Sequence, residues 1–71
     1  MVTEVRSPIS GIIQMVLVER GTKVAADDEL LVIEAMKMQN LVYAPVGGTV
    51  KDVQVKPGDK VDDEALLMII E

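Results

Sequence analysis

Apolar and polar residues alternate in short runs along this chain, and each run ends in a turn rich in Gly, Pro or Asp. Residues 2–6 alternate weakly and predict a first strand. Ser7-Pro8 opens a turn, and Gly11 supplies the bend into a second strand over residues 12–19. In that strand Val16 and Val18 share a parity with Gln14, while Ile13, Met15 and Leu17 hold the other. Apolar residues on both parities predict partial burial on both faces. Arg20-Gly21-Thr22-Lys23 is a turn, Val24 a short bridge and Ala26-Asp27-Asp28 a polar turn. Strands follow at 29–34 and 40–44, and the order then recurs. A turn spans Pro45-Val46-Gly47-Gly48, a strand 49–55, a turn Lys56-Pro57-Gly58-Asp59, and a final strand 65–70.

The recurrence is an internal repeat. At an offset of 37 residues Pro8 matches Pro45, Gly11 matches Gly48, Val16 and Val18 match Val53 and Val55, and Gly21, Lys23 and Val24 match Gly58, Lys60 and Val61. With one deletion the match resumes, Leu30-Leu31 against Leu66-Leu67. Many short strands between Gly, Pro and Asp turns predict an all-β sandwich or barrel. The repeat sharpens this to two interlocked four-stranded units related by a pseudo-twofold.

One stretch conflicts with local propensity. Residues 29–44 contain no Gly or Pro, and Glu34-Ala35-Met36-Lys37-Met38-Gln39 is rich in helix formers. The repeat places 30–33 in a β context, so the chain is expected to reverse near Met36-Lys37. It must do so without Gly, Asn or Asp, although a tight hairpin needs positive φ there, at about 1–2 kcal/mol for each ordinary residue. Strain held at one exposed turn points to use of that turn.

Seventy-one residues make one domain, 1–71, able to bury only about 60% of its unfolded surface. The chain has neither cysteine nor histidine, which removes disulfides, thiolate chemistry and the usual general base. No apolar run nears the roughly 18–20 residues of a membrane span, and Met1-Val2-Thr3-Glu4 lacks the basic start of a leader, so a domain without an export signal is expected. The net charge of −5 and the absence of a basic, aromatic stripe argue against nucleic acid. Asp27-Asp28-Glu29 and Asp62-Asp63-Glu64 read as solvated turns, or else as an acidic surface that steers basic partner sites. Neither has the ligand alternation of a calcium loop. Ser7, Ser10 and Thr22 have no histidine partner, so nucleophilic catalysis is not supported.

That leaves Lys37, framed by Met36 and Met38 between two copies of one β unit. Glu34-Ala35-Met36-Lys37-Met38 resembles the attachment motif of biotinyl (biotin carboxyl carrier) domains, a small residue and Met-Lys-Met preceded by Glu, and the resemblance covers nearly the whole chain. Lipoyl domains share the fold but commonly carry Asp before the lysine and Ala after it. The short connection over 18–24 leaves no room for the thumb loop of some bacterial carriers, so the chain resembles the thumbless domains of acyl-CoA and pyruvate carboxylases or biotin-dependent decarboxylases.

The resemblance implies a flattened β-barrel with Lys37 on an exposed hairpin and Glu34, Ala35, Met36 and Met38 as its recognition motif. It implies biotin joined to Lys37 by a biotin protein ligase, and carboxybiotin carried between biotin carboxylase and carboxyltransferase partners. It further implies a non-catalytic carrier in the cytoplasm or an organelle matrix. The rivals are a lipoyl carrier of an oxo-acid dehydrogenase and an unmodified barrel acting as an interaction or adaptor module. Gln39 and the turn at residues 45–48 are further candidates for ligase contact.

Overall fold

The computed structural model describes residues 2–71, and every regular element in it is a strand. The strands are β1 (Thr3–Arg6), β2 (Gly11–Val16), β3 (Lys23–Val24), β4 (Glu29–Ala35), β5 (Met38–Tyr43), β6 (Gly48–Val53), β7 (Lys60–Val61) and β8 (Leu66–Ile70). They form two four-stranded antiparallel sheets, ordered β1-β8-β6-β3 and β5-β4-β2-β7. Each sheet borrows strands from both halves of the chain, so neither half closes its core alone.

The expected pseudo-twofold relates the sheets, and it holds at 37 residues throughout. Tyr43 faces Glu29 as Arg6 faces Leu66, and Val42 faces Leu31 as Val5 faces Met68. The backbone bonds Gly21 N–H to Val50 O and Gly58 N–H to Ile13 O are a symmetric pair, at 2.8 and 2.7 Å. The deletion expected from the sequence is therefore absent. Leu30 is equivalent to Leu67, Leu31 to Met68 and Ile33 to Ile70, and all six are fully or almost fully buried. A run of similar aliphatic residues hides a one-residue slip, whereas the ladder does not.

β2 departs from its expected pattern in the same way. Its pairing with β4 jumps between Ile13 and Met15, so Gln14 is an extra residue. The bulge turns the following residues over: Ile13, Val16 and Val18 face the core, while Met15 and Leu17 face outward and are about half exposed. β6 carries the equivalent irregularity between Val50 and Asp52, with Lys51 in the position of Gln14.

The core is aliphatic, built around Val5, Ile13, Leu30, Leu31, Ile33, Val50, Leu67, Met68 and Ile70. Ser7 is the one buried polar residue among those described; its hydroxyl donates to the Ile9 carbonyl at 2.5 Å. Ser10 and Thr22 accept backbone N–H groups from Asp63 and Glu19, so all three hydroxyls act as turn staples. Asp28 and Asp59 staple their own turns by accepting from Ala25 and Lys56 at 2.8 and 3.0 Å.

Candidate functional site

β4 and β5 join through two residues, Met36 and Lys37, with Ala35 paired to Met38 across the ladder. Both turn residues are left-handed, at φ 54° and 64°. That is the hairpin whose twist matches its strands, and it is normally filled by Asn-Gly. Here a methionine and a lysine fill it, so the reversal predicted from the sequence occurs at the expected place and in a strained conformation. Elsewhere among the described residues only Asp27 and Glu64, again 37 apart, have positive φ without being glycine.

The tip stands clear of the barrel. Met36 is 86% exposed and Met38 67%, and Lys37, Glu34 and Gln39 are exposed as well. No ion pair or side-chain hydrogen bond holds Lys37 among the described residues; the two ion pairs join Arg6 to Glu4 and Lys51 to Glu71. The amine is thus free of internal partners, and its position is fixed through the backbone.

Ala35 differs from the rest of the motif in being buried. It lies over Gly11, where an added Cβ would fall 3.2 Å from that of Ala35, 2.8 Å from Ile33 Cγ2 and 2.5 Å from the Glu34 carbonyl oxygen. A small residue at 35 and no side chain at 11 let β2 close against the base of the hairpin. Gly11 was expected to serve a bend; its actual role is this close approach. Nothing in a single sequence signals such a contact, since glycine at a strand start reads equally well as a turn.

The other end of the barrel is the symmetric counterpart of the tip. Glu71 occupies the place of Glu34, and its backbone exchanges two 2.8 Å hydrogen bonds with Thr49. β2 runs from Gly11, beside the lysine hairpin, toward Thr22, which accepts from Val50 N–H near that other end. Residues 3 and 70, paired with each other, therefore lie away from Lys37.

The residues around the lysine fit a covalently attached group: an exposed lysine, a paired ladder beneath it and, among the described residues, no ion pair that engages it. Four clefts of the barrel are lined by residues other than 34–39, so a group on Lys37 would not rest on the hairpin's own walls there.

Residues 3–70 match the family model described as biotin-requiring enzyme. The chain belongs to this family. It is 47% identical over 66 residues to the mitochondrial propionyl-CoA carboxylase alpha chain of Homo sapiens, a match covering 93% of this chain and 9% of that one. It is 42% identical over 69 residues to pyruvate carboxylase of Bacillus subtilis strain 168, covering 97% of this chain and 6% of the relative. Among solved structures, Kluyveromyces lactis urea carboxylase superposes with a TM-score of 0.94 at 30% identity, over all of this chain and 6% of that one. The chain thus spans less than a tenth of the length of each of these relatives, and it has the fold of the biotinyl carrier domain of biotin-dependent carboxylases. No helix among the described residues is long and apolar enough to cross a membrane. No group of three or more acidic, His or Cys side chains among them is placed to share a metal ion.

Proposed function

We propose that Lys37 is the biotin attachment residue of this carrier domain and that biotin is joined to it as an amide by a biotin protein ligase. The observation that carries this reading is the two-residue turn: two ordinary residues held at positive φ, with a free lysine at its tip. About 1–2 kcal/mol per residue is spent on a presentation that Asn-Gly would give more cheaply, which makes sense if the side chains themselves are needed.

The ligase supplies what the chain lacks. A lysine amine is mostly protonated at neutral pH and a weak nucleophile. A ligase using ATP offers biotin as an acyl-adenylate; the deprotonated Nζ attacks the acyl carbon, AMP leaves, and the amide nitrogen gives up a proton. Met36 and Met38 are unbranched, neutral and exposed, and suit an apolar pocket at the ligase active site. Glu34 and Gln39 face outward on the strands below and complete the recognised surface. Ala35 contributes from beneath, by letting the hairpin base close on Gly11.

Biotin held there would supply transferable carboxyl chemistry, with a biotin carboxylase and a carboxyltransferase as the sites it serves. The barrel's own contribution is position. A stiff hairpin restricts where the arm begins, and tethering replaces bimolecular encounters with a local search. The domain is a carrier and not a catalyst in this reading, and the cytoplasm or an organelle matrix is where it would work.

Incubation with a biotin protein ligase, ATP and biotin, followed by intact-mass measurement, tests the proposal. One adduct per chain is expected, and none on Lys37→Arg. An unlabelled but folded wild-type chain, beside a control carrier that labels, would send the reading to lipoate or to an unmodified adaptor.

A further inference from the structure

The pseudo-twofold provides an internal control for the surface. On the outward face of the lysine-bearing sheet, Met15, Val32 and Leu41 form one row across β2, β4 and β5. Ile12 extends this apolar surface along β2, Leu17 just past the end of β2, and Tyr43 along β5; all but Val32 are at least 39% exposed. At the symmetric positions of the other sheet, 37 residues away, the row reads Asp52, Ile69 and Glu4, flanked by Thr49, Gln54 and Arg6. One backbone thus carries an apolar outer face on one side and a polar one on the other. The fold does not require the apolar residues, since its own second half does without them.

We infer that this outer face is the docking surface for the biotin protein ligase, an inference that rests on the reading of Lys37 as the attachment residue. Three observations support it. The face borders the lysine hairpin, because β4 and β5 run from its Val32–Leu41 row to the tip with only the exposed Glu34–Gln39 pair between. The end of the barrel is narrow, 17 × 17 Å across against a 33 Å length, whereas a standard interface covers about 800 Å² of accessible surface per partner. A partner that receives Lys37 must therefore lean on a side of the barrel, and this is the apolar side that borders the tip.

Charge selects the kind of partner. Glu29 and Glu34 lie at the edges of the apolar row and Glu19 is exposed just beyond Leu17, with Lys60, paired to Ile12, the cation on that sheet. With a net charge of −5, a second copy would set acidic rim against acidic rim, whereas a partner with basic residues around an apolar strip is complementary. The ligase is also the partner that meets the lysine before any arm exists to span a gap, so it must grip the barrel itself.

The test is steady-state labelling with ligase, ATP and biotin, varying the domain concentration, for Met15→Asp and Leu41→Glu. Each imports the side chain its symmetric position already holds, which keeps the fold within reach; Met15→Gln and Leu41→Gln serve if either fails to fold by circular dichroism. A tenfold or greater rise in KM for the domain with kcat within twofold is expected, while Asp52→Ala and Gln54→Ala on the opposite sheet leave KM unchanged. Unchanged KM in folded face variants would overturn the inference while leaving Lys37 labelling intact. So would a concentration-dependent dimer in sedimentation that Met15→Asp abolishes, since the face would then belong to a second copy. A wild-type chain that never labels would bring down the carrier reading and this inference with it.

Discussion

A side-chain carbon on Gly11 would sit 2.5 Å from the carbonyl oxygen of Glu34, closer than real Cβ atoms come to a backbone atom. Because the clash is with backbone, no rotamer change relieves it. Gly11→Ala should force β2 away from β4 at the base of the lysine hairpin and cost about 1–3 kcal/mol. Gly47→Ala is the control, since its new carbon meets nothing nearer than 3.4 Å and should stay within about 0.5 kcal/mol. Urea denaturation of the two variants measures the difference; equal stabilities would show that the barrel relaxes freely at Gly11.

Strain at the tip predicts an unusual trade. Met36→Asn replaces a residue at φ 54° by one that accepts the left-handed region readily. Stability should rise by about 0.5–1 kcal/mol while ligase labelling slows. A variant that is no more stable would argue that the turn carries little strain.

Cofactor choice should follow the methionines. Met36→Asp with Met38→Ala converts the tip toward the lipoyl pattern on an unchanged barrel. Labelling by the biotin ligase should fall at least tenfold, with labelling by a lipoate ligase measured in parallel. Undiminished biotin labelling would move recognition away from these two side chains.

The symmetry makes a paired prediction for the core. Leu30 and Leu67 are equivalent and both fully buried. Truncation to alanine at either should cost about 2–5 kcal/mol, and similar amounts at both. A loss at one site far above the other would mean that the halves close unequally.

At the opposite end of the barrel the Lys51 amine donates to Glu71 at 2.9 Å. This hydrogen bond, together with the nearby positive charge, holds the Glu71 carboxyl below its ordinary value. Since the folded-state value is depressed, the pair stabilises the fold above the ordinary glutamate range, and that contribution is lost as pH falls through the folded-state value. Both groups are solvent-exposed, so the effect is small. Lys51→Gln, which imports the equivalent Gln14, should return the Glu71 titration seen by NMR to the ordinary range.

Much of this molecule was legible in its residues because the repeat overrode local propensity. Residues 34–39 favour a helix by composition, yet their place between two β units predicted a hairpin with positive φ at Met36 and Lys37, and the backbone has it. The bulges at Gln14 and Lys51 left no trace, since an extra residue in a strand looks like ordinary alternation until the ladder is seen. The same blindness produced the one-residue slip at Leu30. The apolar outer face emerged only when the two halves were laid in true register, which required the pairing of Tyr43 with Glu29 and Arg6 with Leu66. Close approach at Gly11 depends on a neighbour 23 residues away (Glu34) and has no local signature.

A tandem mass spectrum of the ligase-treated chain, locating the modified residue, decides whether Lys37 is the attachment site. Biotin on Lys37 alone, with Lys23, Lys51, Lys56 and Lys60 unmodified, is the predicted result. An adduct on any of those four, or a folded chain bearing none, would contradict it.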